Sequence, residues 1–242
     1  MALNIQRTIL RAIGAREQPV TVTAVDDVLP WYRRVHFSAP EFLSGLEVFP
    51  TVWIRLWVPS LDDPTVLRQR GYTLVDPDPA AGTFALEFVL HQPAGAAARW
   101  AETVRVGDSA EIAFTPARID PDPAIGTYVI GGDASALPAI NSLLDHIPDH
   151  ATAHVVFTDP HDDAAELPFR TRENTRLSIV RTGAEQLRLL RALDVDADDV
   201  YAWGAGERSD VSGMRQLFRR EWALPKHRQH TQYYWIRGKT TG

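Results

Sequence analysis

From Val20 to about Ala113 the chain alternates short apolar runs with turn-forming Pro, Gly and Asp. The runs are Val20–Val25, Arg34–Phe37, Val52–Val58, Gly71–Val75 and Phe84–Leu90, all rich in β-branched and aromatic residues. Such runs read as strands. Ala96–Thr103 has the composition of a short helix, and Val104–Ile112 adds a turn and another strand. The pattern predicts an antiparallel barrel or sandwich capped by a helix. The segment Asp120-Pro121-Asp122-Pro123-Ala124-Ile125-Gly126 then breaks it, since its two prolines suit neither a helix nor a central strand. Beyond it, strands are predicted at Thr127–Ile130, His154–Thr158, Thr175–Val180 and Val200–Gly204, interleaved with helices near Leu137–His146, Ala184–Leu193 and Val211–Trp222. Strands alternating with helices imply a parallel sheet with crossovers. The expected organisation is therefore an antiparallel barrel domain over residues 1–120 and an α/β domain over residues 121–242.

Composition narrows the chemistry. Of 242 residues, 45% are hydrophobic, 23% charged and 9% aromatic, the profile of a globular protein rather than a disordered or fibrous one. There is no cysteine. That excludes a disulfide scaffold, thiolate metal sites, Cys-ligated iron–sulfur clusters and cysteine nucleophiles, so any redox chemistry needs a bound cofactor. The net charge of -6 is spread evenly, with 11 Arg against 14 acids in residues 1–120 and 14 Lys+Arg against 17 acids in the rest. Neither half is a nucleic-acid-binding domain by charge. From Glu207 to Gly242, however, eight basic residues stand against three acids, which predicts a locally basic C-terminal tail. Arg7 and Arg11 interrupt the apolar residues of Leu3–Ile13, so the expectation is a cytoplasmic chain with no membrane insertion.

Three segments carry candidate chemistry. Tyr128-Val129-Ile130-Gly131-Gly132-Asp133-Ala134-Ser135-Ala136-Leu137-Pro138-Ala139-Ile140 runs from a strand through two glycines into a helix opened by a proline. It fits either a ligand-facing turn, where N–H groups meet a phosphate or ring, or a capped turn with no ligand. Trp203-Gly204-Ala205-Gly206-Glu207-Arg208-Ser209 has the first two glycines of a dinucleotide fingerprint but Ser209 in place of the third, and it comes too late for a first βα unit. Arg70-Gly71-Tyr72-Thr73 sets a guanidinium and an aromatic ring on one side of a strand, with Thr73 on the other. Arg can pair with phosphate and Tyr can stack on a planar heterocycle, although on composition alone a surface Arg beside a core Tyr is the favoured reading. His161-Asp162-Asp163 and His227-Arg228-Gln229-His230 sit in polar sequence and read as solvated loops, so no metal site is expected.

Together these segments resemble the siderophore-interacting protein family, flavin-dependent ferric-siderophore reductases within the ferredoxin–NADP reductase superfamily. The likeness runs from Val20 to Gly238. It is carried by Arg70-Gly71-Tyr72-Thr73, by Phe88-Val89-Leu90-His91 with Gly95-Ala96-Ala97-Ala98-Arg99-Trp100-Ala101, by Gly132–Ile140, and by the closing Tyr234-Trp235-Ile236-Arg237-Gly238. The resemblance implies a flavin-binding antiparallel barrel followed by an NAD(P)-binding-like α/β domain. It implies that Arg70 contacts the FAD pyrophosphate, Tyr72 packs on the isoalloxazine and Thr73 approaches its reactive edge. It also implies that Val89, His91, Gly95, Ala97 and Ala98 line the rest of FAD, and that the turn with Asp133, Ser135 and Ala136 faces the nicotinamide donor or the flavin. No catalytic residue beyond the flavin is implied. Three positions depart from the family: Val75 replaces an arginine, Gly95-Ala96-Ala97-Ala98 replaces a Gly-Pro-Ala-Ser turn, and Thr115-Pro116-Ala117-Arg118 replaces a Gly-Pro-rich segment. Arg99 and Arg118 are the candidates to compensate.

The resulting expectation is a monomeric cytoplasmic enzyme that passes electrons from NADPH or NADH through FAD to a ferric siderophore, with ferredoxin as another candidate donor. The alternatives are a siderophore-binding protein that has lost flavin and a flavin reductase for another partner. The expected substrate site is Arg55 with Arg237 and Lys239. Arg55 shares a strand face with Trp53 and Trp57, placing a cation between two aromatic surfaces, although long cationic side chains also snorkel from barrel faces without any ligand.

Overall fold

The computed structural model describes residues 16–114 and 117–239, which divide into two units between Arg118 and Ile119. The first holds β1 (Arg16–Leu29), β2 (Tyr32–Ser38), the helical turn α1 (Pro40–Leu43), β3 (Trp53–Pro59), β4 (Leu67–Thr73), β5 (Val75–Asp78), β6 (Thr83–Val89), helix α2 (Ala96–Thr103) and β7 (Ser109–Phe114). Its strands form one antiparallel sheet in the order β4-β3-β7-β1-β2-β6-β5. The two outermost strands, β4 and β5, are neighbours in sequence. What the sequence presents as one strand, Gly71–Val75, is in fact bent at Leu74, so that Tyr72 pairs with Ile54 on β3 while Val75 pairs with Ala85 on β6. At the bend Leu74 is 2% exposed and donates its N–H to the Val52 carbonyl, the last rung to the β3 side before Val75 crosses to β6. One kinked segment thus serves both edges of the sheet and rolls it into a half-barrel. The alternating inward residues Val35, Phe37, Ile54, Leu56, Leu86 and Ile112 form its core, each fully buried or nearly so.

The second unit holds β8 (Thr127–Asp133), α3 (Leu137–His146), β9 (Thr152–Thr158), β10 (Thr175–Val180), α4 (Gly183–Arg191), β11 (Val200–Glu207), α5 (Arg208–Gln216) and β12 (Gln229–Trp235). These strands form a parallel sheet in the order β10-β9-β8-β11-β12. Strand order therefore reverses between β8 and β11, the position where open α/β sheets leave a crevice at their carboxyl ends. Val156 and Ala202 of the sheet pack against Leu190, Val211, Met214 and Phe218. The closeness of α5 explains one glycine, because a Cβ on Gly131 would overlap the Met214 sulfur.

Two expectations need correction. The basic tail is not all solvated chain, since Gln229–Trp235 adds an edge strand to the sheet, pairing Ala202 with Gln229 and Glu207 with Trp235. Gln229 and His230, read as loop, begin that strand, and only Lys226–Arg228 forms a short 3₁₀ turn. Its polar, largely exposed sequence gives no buried-strand signal because an edge strand is covered on one side only. The last helix also ends as an α-helix at Gln216 and continues as a wider π turn over Leu217–Glu221. No helix among the described residues is long and apolar enough to cross a membrane.

Candidate functional site

In the barrel unit, Arg70 and Tyr72 lie opposite Leu56 and Ile54 and so face the same side of β4. The Arg70 guanidinium donates to the Gln69 carbonyl at 2.7 Å, and burial holds its pKa below the ordinary value, with the neighbouring Arg68 charge acting in the same direction. The Tyr72 ring packs on Phe88, with centroids 4.6 Å apart, and Phe88 in turn packs on Trp100 of α2 at 5.6 Å. Burial pushes the Tyr72 phenol well above its usual range, so it stays neutral. Thr73 closes β4 and is buried. Val89 ends β6, and His91 follows it with its ring beside Gly95, the residue at the N-cap of α2.

The start of α2 has a specific chemistry. Gly95 supplies no side-chain cap, the first turn holds no acid, and Ala96, Ala97 and Ala98 are all buried. Uncapped N–H groups at a helix start favour an anion. A pyrophosphate therefore fits this end of α2, while Tyr72 offers a ring to a planar heterocycle. Val75 is 7% exposed, and its apolar side chain has no donor to offer a phosphate. Both suggested substitutes stand in ion pairs at the surface. Arg118 is engaged by Glu47 at 3.0 and 2.5 Å and lies over Phe49, and Arg99 pairs with Glu102 at 3.1 Å. Thr115 and Pro116 lie outside the described residues.

Arg55 stacks on Trp53 with its guanidinium carbon 4.6 Å from the ring centroid. Gly71 lies opposite Arg55, where an added Cβ would rest against the Trp53 ring at 3.4 Å, an ordinary contact distance. The expected pair of aromatic surfaces is reduced to one: Trp57 is 3% exposed and packs with Ala113 and Leu67.

In the α/β unit the turn after β8 is organised by Asp133. Its Oδ1 accepts from Ser135 N–H at 2.9 Å and the Ser135 hydroxyl at 2.5 Å, and its Oδ2 accepts from Glu207 N–H at 2.9 Å and Trp235 Nε1 at 2.8 Å. Burial is the largest influence on this carboxyl and raises its pKa, against those four hydrogen bonds. Asp133 thus caps the turn Ala134–Ala136 and ties together the ends of β8, β11 and β12. Ala136 is fully buried, and the space beside Gly132 is taken by Ile140, Ala136 and the Ala205 carbonyl. Both glycines of this segment therefore serve internal packing.

Two residues that sequence reasoning passed over complete this rim. Glu207 caps α5 through Ser209 and accepts from Arg237 N–H at 3.1 Å. Gln186, 2% exposed, reaches from α4 to the carbonyls of Gly132 and Val156 at 2.9 and 2.7 Å. Neither carries a sequence signal: Glu is not a usual N-cap residue, and the partners of Gln186 are backbone atoms of distant strands. Tyr233, Tyr234 and Trp235 stand exposed along β12, with Arg208 over Tyr233 and Arg237 over Trp235, each at 5.8 Å. Lys239 follows in a turn closed by its N–H to the Ile236 carbonyl. Among the described residues no three His, Cys, Asp or Glu side chains are grouped to hold a metal.

Comparison with known proteins covers both units. Residues 125–238 match the family model described as siderophore-interacting protein, and residues 50–118 match the siderophore-interacting FAD-binding domain. The mycobactin import ATP-binding/permease protein IrtA of Mycolicibacterium thermoresistibile is 32% identical over 249 residues, covering 100% of this chain and 27% of that protein. The chain thus spans about a quarter of the length of the first curated relatives it matches. The ferric vibriobactin reductase ViuB of Vibrio cholerae is 26% identical, over 70% of this chain and 65% of its own. The crystal structure of the siderophore-interacting protein SipS from Aeromonas hydrophila superposes with a TM-score of 0.82 at 25% identity, covering 93% of each chain.

Proposed function

The chain belongs to the siderophore-interacting protein family, and we propose from that premise that it is an FAD-dependent reductase of ferric siderophores, drawing on NADH or NADPH. The observation that carries the reading is the row on β4: Arg70 and Tyr72 on one face, joined through Phe88 to Trp100 of a helix whose first turn is uncapped and free of acid. An anion and a planar ring are both provided for within one unit. The reductase named among the relatives and the FAD-binding family model add support.

In this reading Arg70 and the α2 N–H groups hold the FAD pyrophosphate, Tyr72 packs on the ring system, Thr73 stands near its reactive edge, and Val89, His91, Gly95, Ala97 and Ala98 line the remainder. Bound FAD supplies the conversion of a two-electron hydride donor into single-electron delivery to Fe(III). The neutral Tyr72 phenol, held so by burial, keeps a second negative charge away from the ring. Asp133, Ser135 and Ala136 shape the crevice between β8 and β11 that receives the nicotinamide donor. Arg55 in the barrel unit, and separately Arg237 and Lys239 in the α/β unit, are the basic groups proposed to attract the ferric siderophore, and iron leaves because Fe(II) binds hard oxygen ligands more weakly than Fe(III). The protein acts as a cytoplasmic monomer, where the donor is available.

The test is direct. Purified protein should be yellow or become so on addition of FAD, should bleach anaerobically with NADH or NADPH, and should then reduce members of a ferric-siderophore panel. A colourless protein that takes up no FAD overturns the enzyme reading in favour of a binding protein. Bleaching without reduction of any siderophore would point to a flavin reductase for another partner.

A further inference from the structure

Arg68 and Arg70 stand two positions apart on β4, opposite Val58 and Leu56 of β3. Their side chains therefore leave the strand on one side, with Tyr72 next in the same row. The other arginines of this unit that appear in ion pairs each hold a carboxylate: Arg33 has Asp27, Arg34 has Glu87, Arg99 has Glu102 and Arg118 has Glu47. Among the described residues the Arg68 side chain has no hydrogen-bond or ion-pair partner. Instead its charge lies close enough to Arg70 to act on it repulsively. Two same-face arginines whose backbone positions are about 7 Å apart along an edge strand place like charges that repel each other, and an anion held between them reverses that sign.

The order of groups along the row is informative. From Tyr72 through Arg70 to Arg68 the strand presents a ring surface, a cation and a second cation. A flavin dinucleotide presents ring system, first phosphate and second phosphate in the same order. We propose that Arg68 is a phosphate ligand in its own right, pairing with the adenylate-side phosphate of FAD while Arg70 pairs with the other, so that the protein selects the dinucleotide over FMN and riboflavin. This rests on the FAD reading above. It assigns to Arg68 a role that neither the sequence motif nor the arginines first suggested as substitutes supplies.

The experiment is equilibrium titration of the full chain, stripped of flavin, with FAD, FMN and riboflavin, followed by flavin fluorescence. Loss of one charge-assisted contact predicts that Arg68→Ala weakens FAD binding about tenfold or more, FMN much less and riboflavin not at all. Arg68→Lys should recover part of the loss, and the salt dependence of FAD affinity should be shallower in Arg68→Ala. FAD affinity in Arg68→Ala within about twofold of wild type would overturn the assignment. Equal weakening of all three flavins would overturn it too, by showing damage to β4 rather than a lost phosphate contact. Both outcomes leave the flavin reading standing. Wild-type protein that binds no flavin would instead remove that reading, and the role of Arg68 with it.

Discussion

The Trp235 indole donates its Nε1 proton to Oδ2 of Asp133 at 2.8 Å across 102 positions of sequence. The same oxygen takes the Glu207 N–H, so one carboxylate joins the carboxyl ends of three parallel strands. Gly206, just before Glu207, adopts φ +135°, and a Cβ there would overlap the Asp133 carboxylate. The close approach, not a ligand, explains that glycine.

Asp133 should therefore behave first as a structural tie. Arg, Lys or metal partners are absent from its four hydrogen bonds, and removing a charged acceptor from buried donors costs about 1–3 kcal/mol. Asp133→Ala should lose stability of that order in urea unfolding. Asp133→Asn allows a sharper check. Burial raises the folded pKa above the unfolded one, so the contribution of this carboxyl is fully present below the unfolded pKa and is lost as pH rises through the folded pKa. The stability advantage of wild type over Asp133→Asn should shrink with rising pH across that window. An advantage that grows instead would mean the hydrogen bonds outweigh burial.

The second prediction concerns helix packing. Gly131 faces the Met214 sulfur so closely that a Cβ would overlap it, and Gly204 lies beneath the same side chain. Gly131→Ala should destabilise by about 1–3 kcal/mol through overpacking. In a double-mutant cycle Met214→Ala should absorb much of that cost, because it vacates the contested space. Strictly additive losses would show that the backbone of β8, not Met214, resists the extra carbon.

Much of this architecture is legible in the sequence because its elements obey simple periods. Val52–Val58 is a β-branched and aromatic run and falls almost wholly within the strand Trp53–Pro59, and Ala96–Thr103 carries helix composition and is a helix with those bounds. Failures occurred where long-range context decides. The Leu74 kink depends on which sheet edge each half of the segment finds, and β12 is a polar edge strand whose only signature is its pairing to β11. At the candidate site, alternation alone puts Arg70 and Tyr72 on one strand face, while their roles toward a flavin come only from the family resemblance. Asp133 was readable only as an alternative between cap and ligand, since its partners Glu207 and Trp235 lie far along the chain. Arg68 carries no motif, and only the pairing pattern of its neighbours makes its lack of a carboxylate visible.

Arg70 gives the third prediction. Its guanidinium is partly withdrawn from water, and it shares a strand face with Tyr72, whose ring contacts lead through Phe88 to Trp100 of α2, so an anion site that it holds should be sensitive to loss of its charge. Arg70→Ala should purify largely as apoprotein, with charge-assisted bonds of about 1.5–3 kcal/mol removed from FAD binding. The measurement is flavin content per chain, followed by titration with FAD. Normal content and affinity would show the phosphate site to be elsewhere.

The last prediction tests the substrate face. Arg55 lies 4.6 Å over the Trp53 ring, and burial is the cause that lowers its guanidinium pKa, which leaves the group charged at any physiological pH. A cation resting on an aromatic face suits an anionic ligand with aromatic or amide surface, since the charge draws the ligand in while the indole offers area. With Trp57 buried, this platform depends on Trp53 alone. Arg55→Glu should raise KM for anionic ferric siderophores with a flattened salt dependence, while reduction of the flavin by its donor proceeds at the wild-type rate. Trp53→Leu should raise KM as well but leave the salt dependence intact, because it removes surface rather than charge. Arg55→Lys separates the two contributions further: it keeps the charge, loses the planar stack, and should fall between wild type and Arg55→Glu. Equal losses in donor and siderophore half-reactions would mean that the substitutions damaged the sheet, and unchanged kinetics in all three variants would place the siderophore on another face of the protein.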